Sequence, residues 1–99
     1  LTSPLCASAG EVMTPALRAL PQVTVVGQST AGMLSDNLNK LLPNGWELSL
    51  SNEVYTSHDG HVFESSGVAP KVPATVMDAA QFVPALRASL STAVDLLQR

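Results

Sequence analysis

Apolar positions recur at helical spacing in two stretches of the chain and alternate with polar ones between them. Val12, Ala16 and Leu20 fall on one face, with Met13 and Leu17 beside them, and predict a helix over residues 9–20 that Pro21 ends. Pro15 lies inside that helix, removes one amide and predicts a tightened or kinked start. Val83, Leu86, Leu90, Val94 and Leu97 predict a second helix at the tail, with Pro84 in its first turn. Val23-Thr24-Val25-Val26 is a β-branched run between the breakers Pro21 and Gly27 and predicts a buried strand. Residues 1–5 read as the end of another strand, confined to an edge or terminus by Pro4. With the second strand parallel to the first across the helix, residues 1–27 form a β-α-β unit. Asn44-Gly45 is a hairpin turn signal, pairing Leu38–Leu42 with Trp46–Leu50. In the second arm Trp46, Leu48 and Leu50 alternate with Glu47 and Ser49, which predicts one buried face. Glu53–Thr56 continues as a strand, His58-Asp59-Gly60-His61 turns it back into Val62-Phe63, and Gly67–Pro70 bends toward a short edge strand at Val72. The fold class is therefore α/β: a β-α-β unit, then antiparallel hairpins, then a C-terminal helix.

Composition narrows the partners. Ninety-nine residues make one domain or part of one, and 45% hydrophobic residues support a real core. The net charge is −3, and the five lysines and arginines are scattered, so neither nucleic acid nor an anionic membrane is expected as a partner. A single cysteine, Cys6, excludes an internal disulfide framework and a multi-cysteine metal site. No apolar run approaches the roughly 18 residues of a membrane span, so no membrane insertion is expected. The chain opens without Met on what reads as a strand end, which suggests a fragment or a mature processed chain.

The chemistry concentrates at Cys6-Ala7-Ser8-Ala9-Gly10-Glu11. Small residues lead into the first helix with a serine at the junction. Two readings fit. Ser8 with Glu11 has the spacing of a capping box, in which Ser8 caps the helix and Glu11 supports its positive end. Ser8 also suits a nucleophile, because the first free N–H groups of the helix point at an oxyanion formed there. His58 and His61 flank a turn and read as solvated; with Asp59 they make a poor metal set. Thr30 and Ser29 read either as lining a substrate groove or as satisfying turn amides, the turn being the preferred reading, and Cys6 as a small buried residue.

The order of four motifs, with a strand between the first two, resembles a known family. Ala7-Ser8-Ala9-Gly10-Glu11, the strand after it, Val26-Gly27-Gln28-Ser29-Thr30-Ala31-Gly32, Leu42-Pro43-Asn44-Gly45 and Gly67-Val68-Ala69-Pro70 are similar to the C-terminal processing (tail-specific) serine proteases and their tricorn-like and retinoid-binding relatives, over residues 1–75. The resemblance implies part of a Clp-protease/crotonase-like core, with residues 1–99 as the C-terminal portion of a single catalytic domain whose upstream part is absent. It implies Ser8 as nucleophile and the Ala9 N–H as an oxyanion donor. Where one branch carries a lysine after the Thr-x-Gly element, this chain has Met33, and neither Lys40 nor Lys71 falls on the motif. The resemblance is closer to the tricorn-like, His-based branch. Its glutamate, three residues before the last Gly-Val, falls on Glu64, which would orient a histidine lying before residue 1.

The implied activity is peptide hydrolysis through an acyl-enzyme on an extended peptide or protein substrate, with no metal or organic cofactor. The retinoid-binding relatives offer a rival: a non-catalytic domain for a small hydrophobic ligand, faced by Met13, Met33, Trp46 and Phe63. A third reading is an α/β interaction module in which Ser8 only caps its helix. Exposed core surface on a partial domain predicts self-association or domain swapping. Relatives of this architecture incline the compartment to periplasmic or secreted.

Overall fold

The computed structural model of the chain describes residues 1–98. Its elements are α1 (Ala9–Arg18), β1 (Val26–Gly27), β2 (Asn37–Leu41), β3 (Glu47–Ser51), β4 (Val72–Pro73) and α2 (Phe82–Leu97). The α/β class, the antiparallel hairpin and the C-terminal helix are as the sequence predicts.

The β-α-β unit is present in shortened form. The expected first strand is reduced to Thr2, which bridges Gly27 in parallel. Thr2 donates its N–H to the Val26 carbonyl (2.9 Å) and accepts the Gln28 N–H (3.0 Å). Pro4 then begins a turn, and Cys6 N–H bonds back to Ser3 O at 2.9 Å. The expected strand at 23–26 covers only Val26–Gly27, because Val23 is held in a turn by Leu20 O at 3.0 Å. β4 runs parallel to β1 on its other side, pairing Val26 with Val72 and Gly27 with Pro73. Gly27 has φ +134°, and a Cβ there would stand 2.1 Å from Thr2 O, so only glycine allows the two segments this close.

α1 stops at Arg18 rather than Leu20, with Pro15 inside it. Its inward face also differs from expectation. Glu11 and Thr14 are the buried residues, Val12 is half-buried, and Ala16 and Leu20 are exposed. The reason is what lies opposite: a loop whose backbone amides face Glu11, rather than a sheet. The core is small. Leu34, Phe63 and Val68 cluster with Tyr55 against them, and Val25, Val26 and Val76 are buried around β1.

The hairpin β2–β3 has the register Leu38↔Leu50 and Lys40↔Leu48. Asn44 caps its turn by accepting Trp46 N–H at 3.1 Å. The expected burial of one face is not found: all ten strand residues are exposed, and Trp46 is 72% exposed. None of the core residues reaches it, so the alternation records an apolar face without a cover. The second turn is held by Ser57 and His61, and Thr56 bridges Val62. The strand expected at 53–56 is this single bridge.

α2 starts after Asp78, whose carboxylate accepts Ala80 N–H (2.8 Å) and Gln81 N–H (3.2 Å). Its buried residue is Ser89; Val83, Leu90, Val94 and Leu97 of the expected apolar stripe are exposed and Leu86 is half-buried. No helix among the described residues is long and apolar enough to cross a membrane.

Candidate functional site

Ser8 stands immediately before α1 with φ 52° and ψ −126°, a left-handed backbone that residues other than glycine rarely adopt. Holding it costs on the order of 1–3 kcal/mol, so surrounding structure must enforce it. The capping box is not formed. The Ser8 side chain takes no helix amide, and the Glu11 carboxylate does not return to Ser8. What anchors Ser8 is its backbone: its N–H donates to Met33 O at 2.8 Å, and its carbonyl accepts Glu11 N–H at 2.8 Å and Val12 N–H at 3.1 Å. The hydroxyl is left uncommitted on an exposed residue. The N–H of Ala9, first residue of α1, donates to no group among the described residues.

Glu11 is the largest departure from sequence reading. It is fully buried. Its Oε1 accepts the Gly32 N–H and its Oε2 the Met33 N–H, each at 2.6 Å. Consecutive amides converge on one carboxylate in this way where a left-handed residue curls the chain into a nest. Gly32 supplies that conformation with φ +77°, and a Cβ on it would meet the Ser65 backbone at 2.7 Å. Nothing in the one-dimensional pattern points across those residues; an acidic residue in a first helical turn reads as a dipole partner. The faint signal is the pairing of that acid with a glycine in a small-residue loop.

Glu64 holds the next two amides of the same segment. Its Oε2 accepts Leu34 N–H at 3.0 Å and Ser35 N–H at 2.9 Å. Ser8, Glu11 and Glu64 are thus all tied to Gly32–Ser35, so Ser8 and Glu64 meet on one short stretch of backbone. Thr30 does not serve a turn amide of its own loop: its Oγ1 accepts the buried Val68 N–H at 2.7 Å, a cross-link between segments distant in sequence. Ser29 is exposed and Cys6 is half-buried, its Sγ 3.0 Å from where a Cβ on Gly10 would lie.

Two hollows share the wall formed by Val12, Leu34 and Tyr55, and one of them reaches Ser8. One, of about 320 Å³, is lined by Ser8, Ala9, Met13 and Asp36. The other, of about 250 Å³ and mostly apolar, runs along α1 past Pro15, Ala16 and Ala19 to Phe63, with His58 at its wall. Tyr55 keeps its proton to higher pH than a free phenol because its hydroxyl is hydrogen-bonded to Glu53, whose charge adds to the effect.

The histidines are not brought to Ser8. Both are exposed on the 57–61 turn, and neither lines the Ser8 hollow. The His61 ring lies 4.4 Å from Phe63, whose face Arg18 covers at 5.2 Å. Asp59 is held below the usual carboxylate range by the Ser57 hydroxyl at 2.5 Å, helped by backbone hydrogen bonds and the nearby His58. Lys40 sits on the hairpin opposite Leu48, and the Met33 side chain is exposed. No group of three or more metal-ligating side chains is present among the described residues.

Comparison with known proteins agrees with the motifs. The sequence model of peptidase family S41 matches residues 1–74. A crystal structure of a candidate peptidase from Parabacteroides merdae superposes with a TM-score of 0.77 at 26% identity, covering 95% of this chain and 29% of that one. A lipoprotein from Streptococcus agalactiae superposes with a TM-score of 0.60 at 26% identity, covering 86% of this chain and 27% of that one. The chain therefore spans under a third of the length of these relatives. No curated protein sequence matches it.

Proposed function

The chain belongs to peptidase family S41, and from that premise we propose that residues 1–99 are the C-terminal part of a serine peptidase catalytic domain with Ser8 as its nucleophile. One observation carries this reading. Ser8 is held at φ 52° with its hydroxyl uncommitted, directly before a helix whose first N–H, on Ala9, has no partner. Such strain without a capping bond gains nothing for the helix; it presents an oxygen.

The reaction follows. Ser8 Oγ bonds to the scissile carbonyl carbon while a histidine supplied by another part of the domain takes the hydroxyl proton. The carbonyl electron pair moves to oxygen, which the Ala9 N–H stabilises. Collapse breaks the C–N bond, and the imidazolium returns its proton to the leaving amine. Water then attacks the acyl-enzyme by the same route. Glu64 is the carboxylate proposed to orient the histidine. Its Oε2 holds loop amides, and its Oε1 enters no hydrogen bond among the described residues, which leaves an acceptor for an imidazole N–H. The substrate is an extended peptide, with the apolar hollow beside Val12 and Leu34 receiving one of its side chains.

A rival reading as a binder of a small hydrophobic ligand draws on the same hollow, which reaches Phe63. A fluorophosphonate probe on the intact protein separates the two. Covalent labelling at Ser8, lost in Ser8→Ala, is expected of the peptidase; an unlabelled protein that binds an apolar fluorophore at this hollow would favour the binder. Residues 1–99 alone are expected to show no Ser8-dependent hydrolysis.

A further inference from the structure

We infer that Glu11 is the positioning residue of the nucleophile: its buried carboxylate fixes the loop that holds Ser8 in its strained backbone conformation. This rests on the reading of Ser8 as nucleophile and adds to it a residue that touches neither substrate nor base.

The geometry is a closed ring. Ser8 N–H donates to Met33 O at 2.8 Å. Met33 N–H, on the other side of the same residue, donates to Glu11 Oε2 at 2.6 Å. Glu11 N–H returns to Ser8 O at 2.8 Å through the first turn of α1. Gly32 N–H on Glu11 Oε1 fixes the carboxylate's second oxygen. Ser8 thus cannot rotate toward an ordinary helix-capping conformation without losing its bond to Met33. Met33 cannot shift without uncovering a charge that has no water around it, because Glu11 is fully buried. A left-handed serine needs such over-determination. Two features show that the ring serves placement and not only packing. Glu11 occupies the first helical turn, where an acid costs nothing if left in solvent, yet it is turned inward. The ring also closes on Ser8 itself, the residue whose conformation is least favourable by its own preference.

The glutamine variant tests this, because Glu11→Gln keeps the shape and one acceptor oxygen but turns an NH2 toward the other amide. In the intact protein, the rate constant for fluorophosphonate bonding to Ser8 is expected to fall at least tenfold. The reversible affinity for a non-hydrolysable extended peptide is expected to stay within twofold. Gln28→Ala is the control, since Gln28 ties Val76 and Met77 to the far side of β1 and should lower stability without changing the labelling rate. A Glu11→Gln protein that melts earlier but labels at the unaltered rate, well below its melting temperature, would overturn the inference. If that variant does not fold, amide hydrogen exchange on the unaltered protein decides. The Ser8, Gly32 and Met33 amides should exchange through one common opening. A Ser8 amide exchanging tenfold faster than the other two would equally overturn it. An unaltered protein that the probe never labels would instead overturn the peptidase reading, while exchange still reports on the ring.

Discussion

Two regions of the chain carry similar apolar patterns and have opposite fates. Where α1 crosses the loop at 30–35 and the turn at 63–68, Glu11, Thr30, Leu34, Phe63, Gly67 and Val68 are buried and cross-linked by side-chain to backbone hydrogen bonds. The hairpin β2–β3 has the cleaner alternation, Leu38, Leu48 and Leu50 against Asn39, Glu47 and Ser49, and is exposed throughout. The contrast teaches that periodicity reports which face an element would bury, whereas polar cross-links report which faces are buried within these residues. In the crossing, the decisive groups are carboxylates and amides, and they carry the candidate chemistry.

The contrast can be attacked at five points, in order of expected effect. Ser8→Ala in the intact protein should lower peptidase kcat/KM by about 10⁴-fold or more, measured on a fluorogenic peptide series. Glu11→Ala should cost about 3 kcal/mol, because two buried amides lose their acceptor; chemical denaturation of this chain reads it. Ser8→Gly should raise stability by about 1 kcal/mol, since glycine adopts φ 52° freely, where a helix cap would have lost stability. Leu50→Ser, in the hairpin, should change stability by less than about 0.5 kcal/mol despite deleting a large apolar side chain, because that side chain is 48% exposed. A loss like that of Glu11→Ala there would dissolve the comparison.

The smallest effect concerns pH. Asp59 has its pKa depressed in the folded chain, so its contribution is present above the unfolded value of 3.8 and is lost as pH falls through the folded value. Thermal melts from neutral pH downward should show a shallower acid decline in Asp59→Asn than in the unaltered chain. The size will be modest, because the group is exposed.

Element types were legible in the sequence wherever periodicity or a turn residue dictates them. Asn44-Gly45 placed the hairpin within one residue of its observed arms, whereas Gly27, read as a breaker, and Gly67, read as part of a bend, prove to be close backbone approaches. Strand lengths were not legible, because Thr2, Val26 and Val72 owe their pairing to neighbours distant in sequence. Ser8 was legible as a candidate, since helix-start chemistry and nucleophile chemistry call for the same residue types. Its strain was not, because φ is set by the Met33 carbonyl. Glu11 was misread for a related reason. Its helix position suggests a local partner, and burial in a nest of amides is a tertiary event. Glu64 was picked out by motif position, and its contacts with Leu34 and Ser35 have no counterpart in local pattern.

The Glu11 nest also bears on how the chain folds. Glu11 and Gly32 are 21 residues apart, and neither the helix start nor the loop is satisfied before they meet. Closing a loop of that length costs entropy that a single helical turn cannot recover. Docking of α1 and ordering of residues 30–35 should therefore be one kinetic event, so that substitutions at Glu11 and Gly32 give matching φ-values while Leu50 stays near zero.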